Sequence, residues 1–205
     1  MDAAGCRSPR YYHSLLMLIL ASASPRRAEL LTAAGFDFQV IAADVDETPR
    51  PGEAPAAYAL RVARDKAAAV WETGLKPGTR VLAADTVVVA EGQILGKPAG
   101  RADAERMLRL LAGKVHEVIT AVVLRQDAGE VSDAVTTRVW MSPLTEADIR
   151  WYVESGEPEG KAGAYAIQGR AARFIGRIEG SWSNVVGLPI ATVHQLTATG
   201  PDSTA

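Results

Sequence analysis

The sequence is poor in cysteine, in long apolar runs and in excess charge, and each shortage disfavours a class of protein. Its single cysteine, Cys6, cannot form an intramolecular disulfide and fits a reducing compartment, so we expect a cytoplasmic protein. No stretch approaches the ~20 apolar residues that a membrane-spanning helix needs. Because 22 lysines and arginines face 24 acidic residues, we expect neither a nucleic-acid partner nor a membrane partner, and any anion site must be built locally.

An ordinary globular mixture remains, with 48% hydrophobic and 22% charged residues over 205 positions. This length fits one domain, or two small lobes that share a cleft.

The beginning of the chain can be interpreted in two ways. It resembles a secretory signal with its cleavage site, because it has two early arginines, an apolar run at 15–21 and the triplet Ala21-Ser22-Ala23. The same run, LLMLILA, also fits a buried strand that leads into a helix at Pro25, and cleavage would remove that strand. We favour the strand. Because Met17 begins MLILASASPRR, we expect residues 1–16 to be a disordered extension, with an overlong start-site assignment as the alternative.

Helical and extended patterns alternate along the rest of the chain. Ser24 before Pro25 predicts a hydroxyl cap with proline at the first helical position, and Thr145 with Asp148 resembles a capping box. We predict further helices at about 54–73, 104–111 and 189–196, and strands at about 36–42, 81–90, 115–125 and 131–141. This mixture predicts an α/β fold.

Asp85 interrupts an otherwise apolar strand in VLAADTVVV, with Thr86 beside it. A carboxylate buried without compensation costs several kcal/mol, so its site needs a metal, a cation or water. The alternative is an aspartate at a strand edge that faces solvent. Nearly continuous apolar sequence around Asp85 favours the buried interpretation.

The segment SASPRR lies between a strand and a helix start, where backbone N–H groups and the helix dipole favour an anion. Arg26 and Arg27 add forked donors for phosphate oxygens. It is not a P-loop, because G-x-x-x-x-G-K-[ST] is absent. Two arginines in a first helical turn are more often solvated, so both interpretations stay open at this point.

Three lysines and an acidic loop complete the candidate chemistry. Lys97 and Lys161 lie in turn-rich segments and Lys66 on a helix flank, although a lysine alone is more often at the surface. Glu47 or its neighbour Asp46 could add a second carboxylate to a divalent ion shared with Asp85. None of the three histidines, His13, His116 and His194, is placed to activate a serine, which makes a serine hydrolase a weak interpretation.

Taken together, these motifs resemble the Maf family of nucleoside triphosphate pyrophosphatases, over about residues 18–196. The carriers are LASASPRRAELL, the Asp46-Glu47 pair, ARDKA, AADTVV, ILGKP, MLRLLAGKVHEVITAV, GKAGAYAIQG and GSWSNVVGLP. The resemblance implies a mixed twisted sheet with flanking helices and two lobes around a deep cleft, here a single domain at 17–200, usually as a homodimer. It also implies hydrolysis of a nucleoside triphosphate between its α and β phosphates with Mg²⁺ or Mn²⁺.

Carried over motif by motif, the resemblance implies roles for particular residues. Asp85 is similar to the family's proton acceptor, and with Glu47 it would hold the divalent ion. Arg26, Thr86 and Gln168 match positions associated with substrate choice. Other pocket positions are matched by Ser22, Arg27, Glu47, Lys66 and Lys97.

The resemblance also narrows the expected substrate. SPRR, ADT and AYAIQG are typical of the branch that hydrolyses dTTP and UTP, and Trp182 stands where tyrosine is common. We therefore expect a dTTP/UTP pyrophosphatase. The alternatives are hydrolysis of modified pyrimidine nucleotides and a nucleotide-binding regulator of cell division with weak catalysis.

Overall fold

The structure is a computed structural model that describes residues 17–198. It has strands β1 (Leu18–Leu20), β2 (Phe38–Val40), β3 (Arg80–Ala90), β4 (Gln93–Leu95), β5 (Val115–Gln126), β6 (Gly129–Met141) and β7 (Ile175–Glu179). It has helices α1 (Pro25–Ala33), α2 (Pro55–Trp71), α3 (Arg101–Leu111), α4 (Glu146–Glu154), α5 (Trp182–Val186) and α6 (Ile190–Ala198), with short 3-10 turns at Ala162–Ala164 and Arg170–Phe174. The α/β class is confirmed.

The strands form one mixed sheet in the order β2-β1-β3-β5-β6-β7, with β4 paired to β3. Strand β1 runs parallel to β2 and β3, whereas the long β3, β5 and β6 are antiparallel to their successive neighbours. Strand β3 pairs with β1 only at 80–82 and with β4 only at 88–90. On that side, no described strand pairs with β3 between these two segments, and the resulting gap exposes the middle of β3.

Helices cover both faces of the sheet. On one face, α2 packs Ala63, Ala67 and Val70 against alternate residues of β3 and β5. On the other face, α1 and α6 pack through Leu31 and Val193 against the intervening residues of the same strands. A third cluster joins α3, α4 and the 3-10 turns beside β4 and β6. The predicted flanking helices are therefore confirmed.

Several local predictions hold and a few are wrong. The Thr145–Asp148 capping box is present, and α1 begins at Pro25 as predicted. Ser24 occupies the cap position, but its hydroxyl makes no cap bond; instead its backbone N–H donates to Ser22 Oγ at 3.2 Å. The strand predicted at 36–42 is only three residues long.

Two elements in the glycine-rich tail, β7 and α5, were not predicted. Each is five residues long, which is too short to show a clear hydrophobic period. The predicted extension at 1–16, with Cys6 and His13, and residues 199–200 lie outside the described residues. That 17–200 forms one domain of two lobes stays a prediction. Within 17–198, no helix combines the length and the apolar character that crossing a membrane requires.

Candidate active site

A cavity of about 510 Å³ opens at the gap beside the middle of β3. It lies where β1 ends and its loop leads into α1, which is a common ligand position in open α/β sheets. All the residues predicted for the site line it: Ser22, Arg26, Arg27, Glu47, Lys66, Asp85, Thr86, Lys97 and Gln168. They come from six separate segments, so the fold brings together groups that are far apart in the sequence.

Asp85 is buried, as its apolar surroundings predicted, and only 7% of its surface is exposed. Its Oδ1 accepts a hydrogen bond from Lys66 Nζ at 2.7 Å. Lys66 extends from the flank of α2 and is equally buried, so the interpretation of this lysine as a surface residue is wrong. The cation that a buried carboxylate requires is thus supplied by the chain itself. Asp85 Oδ2 accepts no hydrogen bond from residues 17–198.

Glu47 joins the same cluster from the loop before α2. Its Oε1 lies 2.7 Å from Lys66 Nζ and its Oε2 lies 2.8 Å from Lys97 Nζ. Burial on its own would raise the pKa of Glu47, but the hydrogen bonds from the two lysines outweigh burial and lower the pKa to about 2. Asp46 does not line the cavity, and its carboxylate accepts a hydrogen bond from the backbone of Thr48 at 2.8 Å. Of the acidic pair, only Glu47 is therefore part of the site.

Arg27 lies behind the loop that links β1 to α1, and it is 8% exposed. Its guanidinium donates to the carbonyl of Gly187 at 2.8 Å, to Ser22 Oγ at 3.0 Å and to Thr86 Oγ1 at 3.2 Å. All three acceptors are neutral, so the positive charge is held in place without being cancelled. Burial lowers the pKa of Arg27, and the field of Asp85 opposes that shift.

Arg26 and Lys161 add further positive charge at the cavity. Among the described residues, none makes a hydrogen bond or ion pair with the Arg26 guanidinium, whose pKa is lowered by burial. Lys161 Nζ donates to the backbone carbonyls of Glu157 and Glu159, and burial, followed by the nearby charge of Arg26, lowers its pKa. Neither cation is paired with a carboxylate, which leaves a cationic wall suited to a polyphosphate.

The remaining wall of the cavity is mostly apolar. Thr86 and Val88 point from β3 to the face of the sheet opposite Asp85, and Val118 of β5 lies directly across from Val88. Tyr165 and Val186 complete this wall, and Gln168 lies at its exposed rim. A cavity with a cationic wall and an apolar wall matches the two chemical ends of a nucleotide.

Two of the histidines can be located. His116 lies behind Tyr165, with its Nε2 2.8 Å from the tyrosine hydroxyl, and does not line the cavity. Burial lowers the pKa of His116 to about 4, so the ring is neutral near pH 7. His194 is on the exposed side of α6.

A divalent ion is compatible with the donor set. Asp85 and Glu47 offer carboxylate oxygens, which Mg²⁺ and Mn²⁺ prefer. Within residues 17–198 no group of three or more histidine, cysteine or acidic residues could hold a metal. Two carboxylates suffice where substrate phosphates and water complete the coordination of Mg²⁺. Lys66 lies between the two carboxylates, so an ion there would share their charge with this lysine.

Two residues that shape the site, Tyr58 and Gly187, were not among the predicted site residues. Tyr58 lines the cavity and donates its hydroxyl to the carbonyl of Glu47 at 2.7 Å, which fixes the acidic loop. Gly187 supplies the carbonyl that orients Arg27, and it has φ +126°, a conformation that favours glycine. Tyr58 sits on a helix face that also fits core packing, and Gly187 is one of 18 glycines. The only sequence signal for Gly187 was its place in GSWSNVVGLP, one of the segments that carry the family resemblance.

These features define an α/β protein with a nucleotide-sized, cation-lined cleft beside an interrupted sheet. The sequence profile described as Maf-like protein matches residues 17–199, and the chain belongs to the Maf family. A relative from Geobacter sulfurreducens, named dTTP/UTP pyrophosphatase, is 53% identical over 178 residues, covering 86% of this chain and 92% of its own. Another of the same name from Anaeromyxobacter dehalogenans (strain 2CP-1) is 53% identical over 183 residues, covering 87% and 91%.

Proposed function

We propose that this protein is a nucleoside triphosphate pyrophosphatase that hydrolyses dTTP and UTP to the monophosphate and pyrophosphate. The observation that carries the proposal is the pairing of a buried carboxylate, Asp85, with a wall of cations inside one nucleotide-sized cavity. The names of the relatives support the same activity and the same substrates.

Asp85 is the general base in this mechanism. Lys66 holds Oδ1 at 2.7 Å, which leaves Oδ2 to accept a proton from a water molecule that attacks the α-phosphorus. The water oxygen forms the new bond to phosphorus, and the bond to the bridging oxygen breaks as pyrophosphate departs. Lys66 keeps the carboxylate of Asp85 oriented before the attack.

The cations stabilise the charge that accumulates on the departing pyrophosphate. Arg27 is already oriented by Ser22, Thr86 and Gly187, so it needs no rearrangement as the charge develops. Arg26, Lys97 and Lys161 line the same cavity and supply further donors to phosphate oxygens. Fixed charges in a cavity shielded from water act more strongly than the same charges in solution.

We further propose that Asp85 and Glu47 hold Mg²⁺ or Mn²⁺ together with the substrate phosphates. When bound, such an ion neutralises phosphate charge and helps to orient the reacting groups. Its binding would weaken the hold of Lys66 on the two carboxylates, because the ion and the ammonium compete for the same oxygens.

A panel of nucleoside triphosphates, each incubated with the purified protein and Mg²⁺ or Mn²⁺, tests this function. We expect dTTP and UTP to yield the monophosphate and intact pyrophosphate at the highest rates. Release of diphosphate and orthophosphate would contradict cleavage between the α and β phosphates. Nucleotide binding without any release of pyrophosphate would instead support a regulatory protein with vestigial catalysis.

Two further properties belong to the proposal. We propose a homodimer, tested by light scattering, where a particle of twice the 21.7 kDa chain mass is expected and a particle of the chain mass would contradict it. We also propose a cytoplasmic location, which the single cysteine supports and which fractionation of cells would test.

A further inference from the structure

A second threonine lies directly behind Thr86. Thr120 of β5 is paired with Thr86 across the β3–β5 ladder and is fully buried, outside the lining of the cavity. The two hydroxyl oxygens are 2.9 Å apart. Thr120 Oγ1 is also 3.0 Å from the backbone carbonyl oxygen of Asn184, which lies in α5. Thr120 therefore connects the cavity residue Thr86 to the backbone of α5.

The chemistry of the end groups determines which way each hydroxyl points. The carbonyl of Asn184 can only accept, so the single hydroxyl hydrogen of Thr120 is directed to it. Thr120 Oγ1 then accepts the hydrogen of Thr86 at 2.9 Å. Arg27 can only donate, and its contact at 3.2 Å uses one lone pair of Thr86. The hydrogen of Thr86 consequently points into the protein, away from the cavity.

A different arrangement of hydrogens leads to the same result for Thr86. If Thr120 donated to Thr86, the hydrogen of Thr86 would go to the carbonyl of Gly187 at 3.4 Å, and the carbonyl of Asn184 would keep only the backbone N–H of Gly187 as a donor. This arrangement is poorer, because the bond to Gly187 is long and the bond from Thr120 to Asn184 is lost. Thr120 therefore provides the short contact for the hydrogen of Thr86, and without Thr120 only the long contact with the Gly187 carbonyl at 3.4 Å would hold this hydrogen inside the protein.

We propose that Thr120 is a positioning residue for substrate choice, because it makes Thr86 present a hydrogen-bond acceptor to the cavity. Thr86 lies on the same face of the sheet as Val88 and Val118, whose apolar wall suits the base of a nucleotide better than its phosphates. Uracil and thymine carry an N3–H donor, whereas N3 of cytosine is an acceptor. The orientation set by Thr120 therefore favours an imide base over cytosine, and this inference rests on the proposed function.

The substitution Thr120→Val tests the proposal, since valine keeps the shape and removes the hydroxyl. Dissociation constants are measured by calorimetry for UTP and CTP analogues whose α and β phosphates are joined by an imido group, which prevents cleavage. We expect the wild-type protein to prefer the UTP analogue, and Thr120→Val to reduce that preference about tenfold, the effect of one well-placed hydrogen bond. Thr120→Ser retains the hydroxyl and should restore the wild-type ratio.

Thr137→Val provides a matched control. Thr137 on β6 is also fully buried and accepts a hydrogen bond from Asn184 Nδ2 at 3.0 Å, but it makes no contact with Thr86. Removing the Thr137 hydroxyl weakens the attachment of α5 but leaves the contact between Thr86 and Thr120 in place. The ratio of the affinities for the two analogues should therefore stay at the wild-type value. If Thr120 had only a structural role, both valine variants would change the affinity ratio alike.

The outcomes are separable from failure of the proposed function. An unchanged affinity ratio in Thr120→Val, an equal change in Thr137→Val, or a wild-type protein without preference for the UTP analogue would each overturn the role of Thr120. By contrast, wild-type protein that binds the UTP analogue selectively but releases no pyrophosphate from UTP would overturn the proposed function and leave the role of Thr120 supported.

Discussion

Asp85 and Thr86 are neighbours in β3, yet they point to opposite faces of the sheet and are held in different ways. Asp85 belongs to a charged cluster in which Lys66 is shared by two carboxylates at 2.7 Å each. Thr86 belongs to a network in which the Arg27 guanidinium contacts only neutral acceptors, two hydroxyls and a carbonyl. We call the face of Asp85 the charged face and the face of Thr86 the neutral face. Charges are balanced on the first face, whereas on the second a cation is held with its charge available. The first arrangement suits a general base, and the second suits the binding of an anion.

The largest expected effect comes from removing the base on the charged face. Asp85→Asn keeps the size of the side chain and removes its ability to accept a proton from water. We expect the turnover number for UTP to fall about 10²–10⁴-fold, the usual effect of losing a general base. Steady-state assays measure this, and circular dichroism checks that the variant folds. A turnover within about tenfold of wild type would exclude Asp85 as the base.

The two faces should also differ in stability when their cations are removed. Lys66→Met leaves Asp85 buried without its partner, and we expect this to lower the free energy of unfolding by about 3–5 kcal/mol. Arg27→Met leaves only neutral acceptors behind, so we expect a smaller loss of about 1–3 kcal/mol. Urea unfolding at neutral pH measures both variants.

An exposed lysine supplies the control for this pair. Lys97 is 61% exposed in its ion pair with Glu47, and Lys97→Met should cost less than about 1 kcal/mol. If Arg27→Met lowered the free energy of unfolding as much as Lys66→Met, the charges of Arg27 and Lys66 would not differ in the way proposed, with one available to an anion and the other balanced by carboxylates.

Substrate choice should depend on the neutral face and its rim. Gln168 offers both a donor and an acceptor, which match O4 and N3–H of uracil or thymine. Gln168→Ala should lower kcat/KM for UTP and dTTP about tenfold, while the values for purine nucleotides change little. Competition assays with mixed nucleotides measure the ratio directly. Equal losses for all nucleotides would assign Gln168 to general binding.

On both faces, sequence predicted individual residues better than the contacts between them. Asp85 stood out because an acid in an apolar strand is costly, and Arg26 with Arg27 stood out at a helix start. Their partners Lys66, Ser22 and Thr86 were matched only through the family resemblance, and the contacts between them gave no signal. The carbonyl of Gly187 lies 160 positions from Arg27, and a backbone acceptor has no residue type that could reveal it. Lys66 and Asp85 are 19 positions apart on different elements, so their contact depends on the packing of α2 against β3.

The same limit applies to the fold. Long elements with a clear hydrophobic period were predicted best: β5 and β6 almost to their ends, and α3 except for its first turn. The edge strand β7 and the short α5 were missed, although α5 leads into the carbonyl that orients Arg27. Short elements are stabilised mainly by tertiary contacts, which local patterns do not contain. Site residues on such elements are therefore harder to predict than those on long ones.

The smallest expected effect is a dependence of stability on pH that arises from Glu47. Its pKa falls from 4.5 to about 2 in the folded protein, because hydrogen bonds from Lys66 and Lys97 outweigh burial. A carboxyl whose pKa is lowered by folding stabilises the fold above its unfolded pKa, and this contribution is lost as pH falls. The loss should begin near 4.5 and continue toward about 2. Partial exposure of Glu47 keeps the effect modest.

Comparison of the wild type with Glu47→Gln isolates this contribution. Urea unfolding at about pH 6 and about pH 3.5 should show a larger loss of stability in the wild type than in the variant. His116, whose pKa is lowered to about 4 by burial, also destabilises the fold as pH falls below its ordinary value of 6.5. That effect is common to both proteins and cancels in their difference. Equal losses in the two proteins would mean that the charged face does not hold Glu47 ionised, and the contrast with the neutral face would then rest on Asp85 alone.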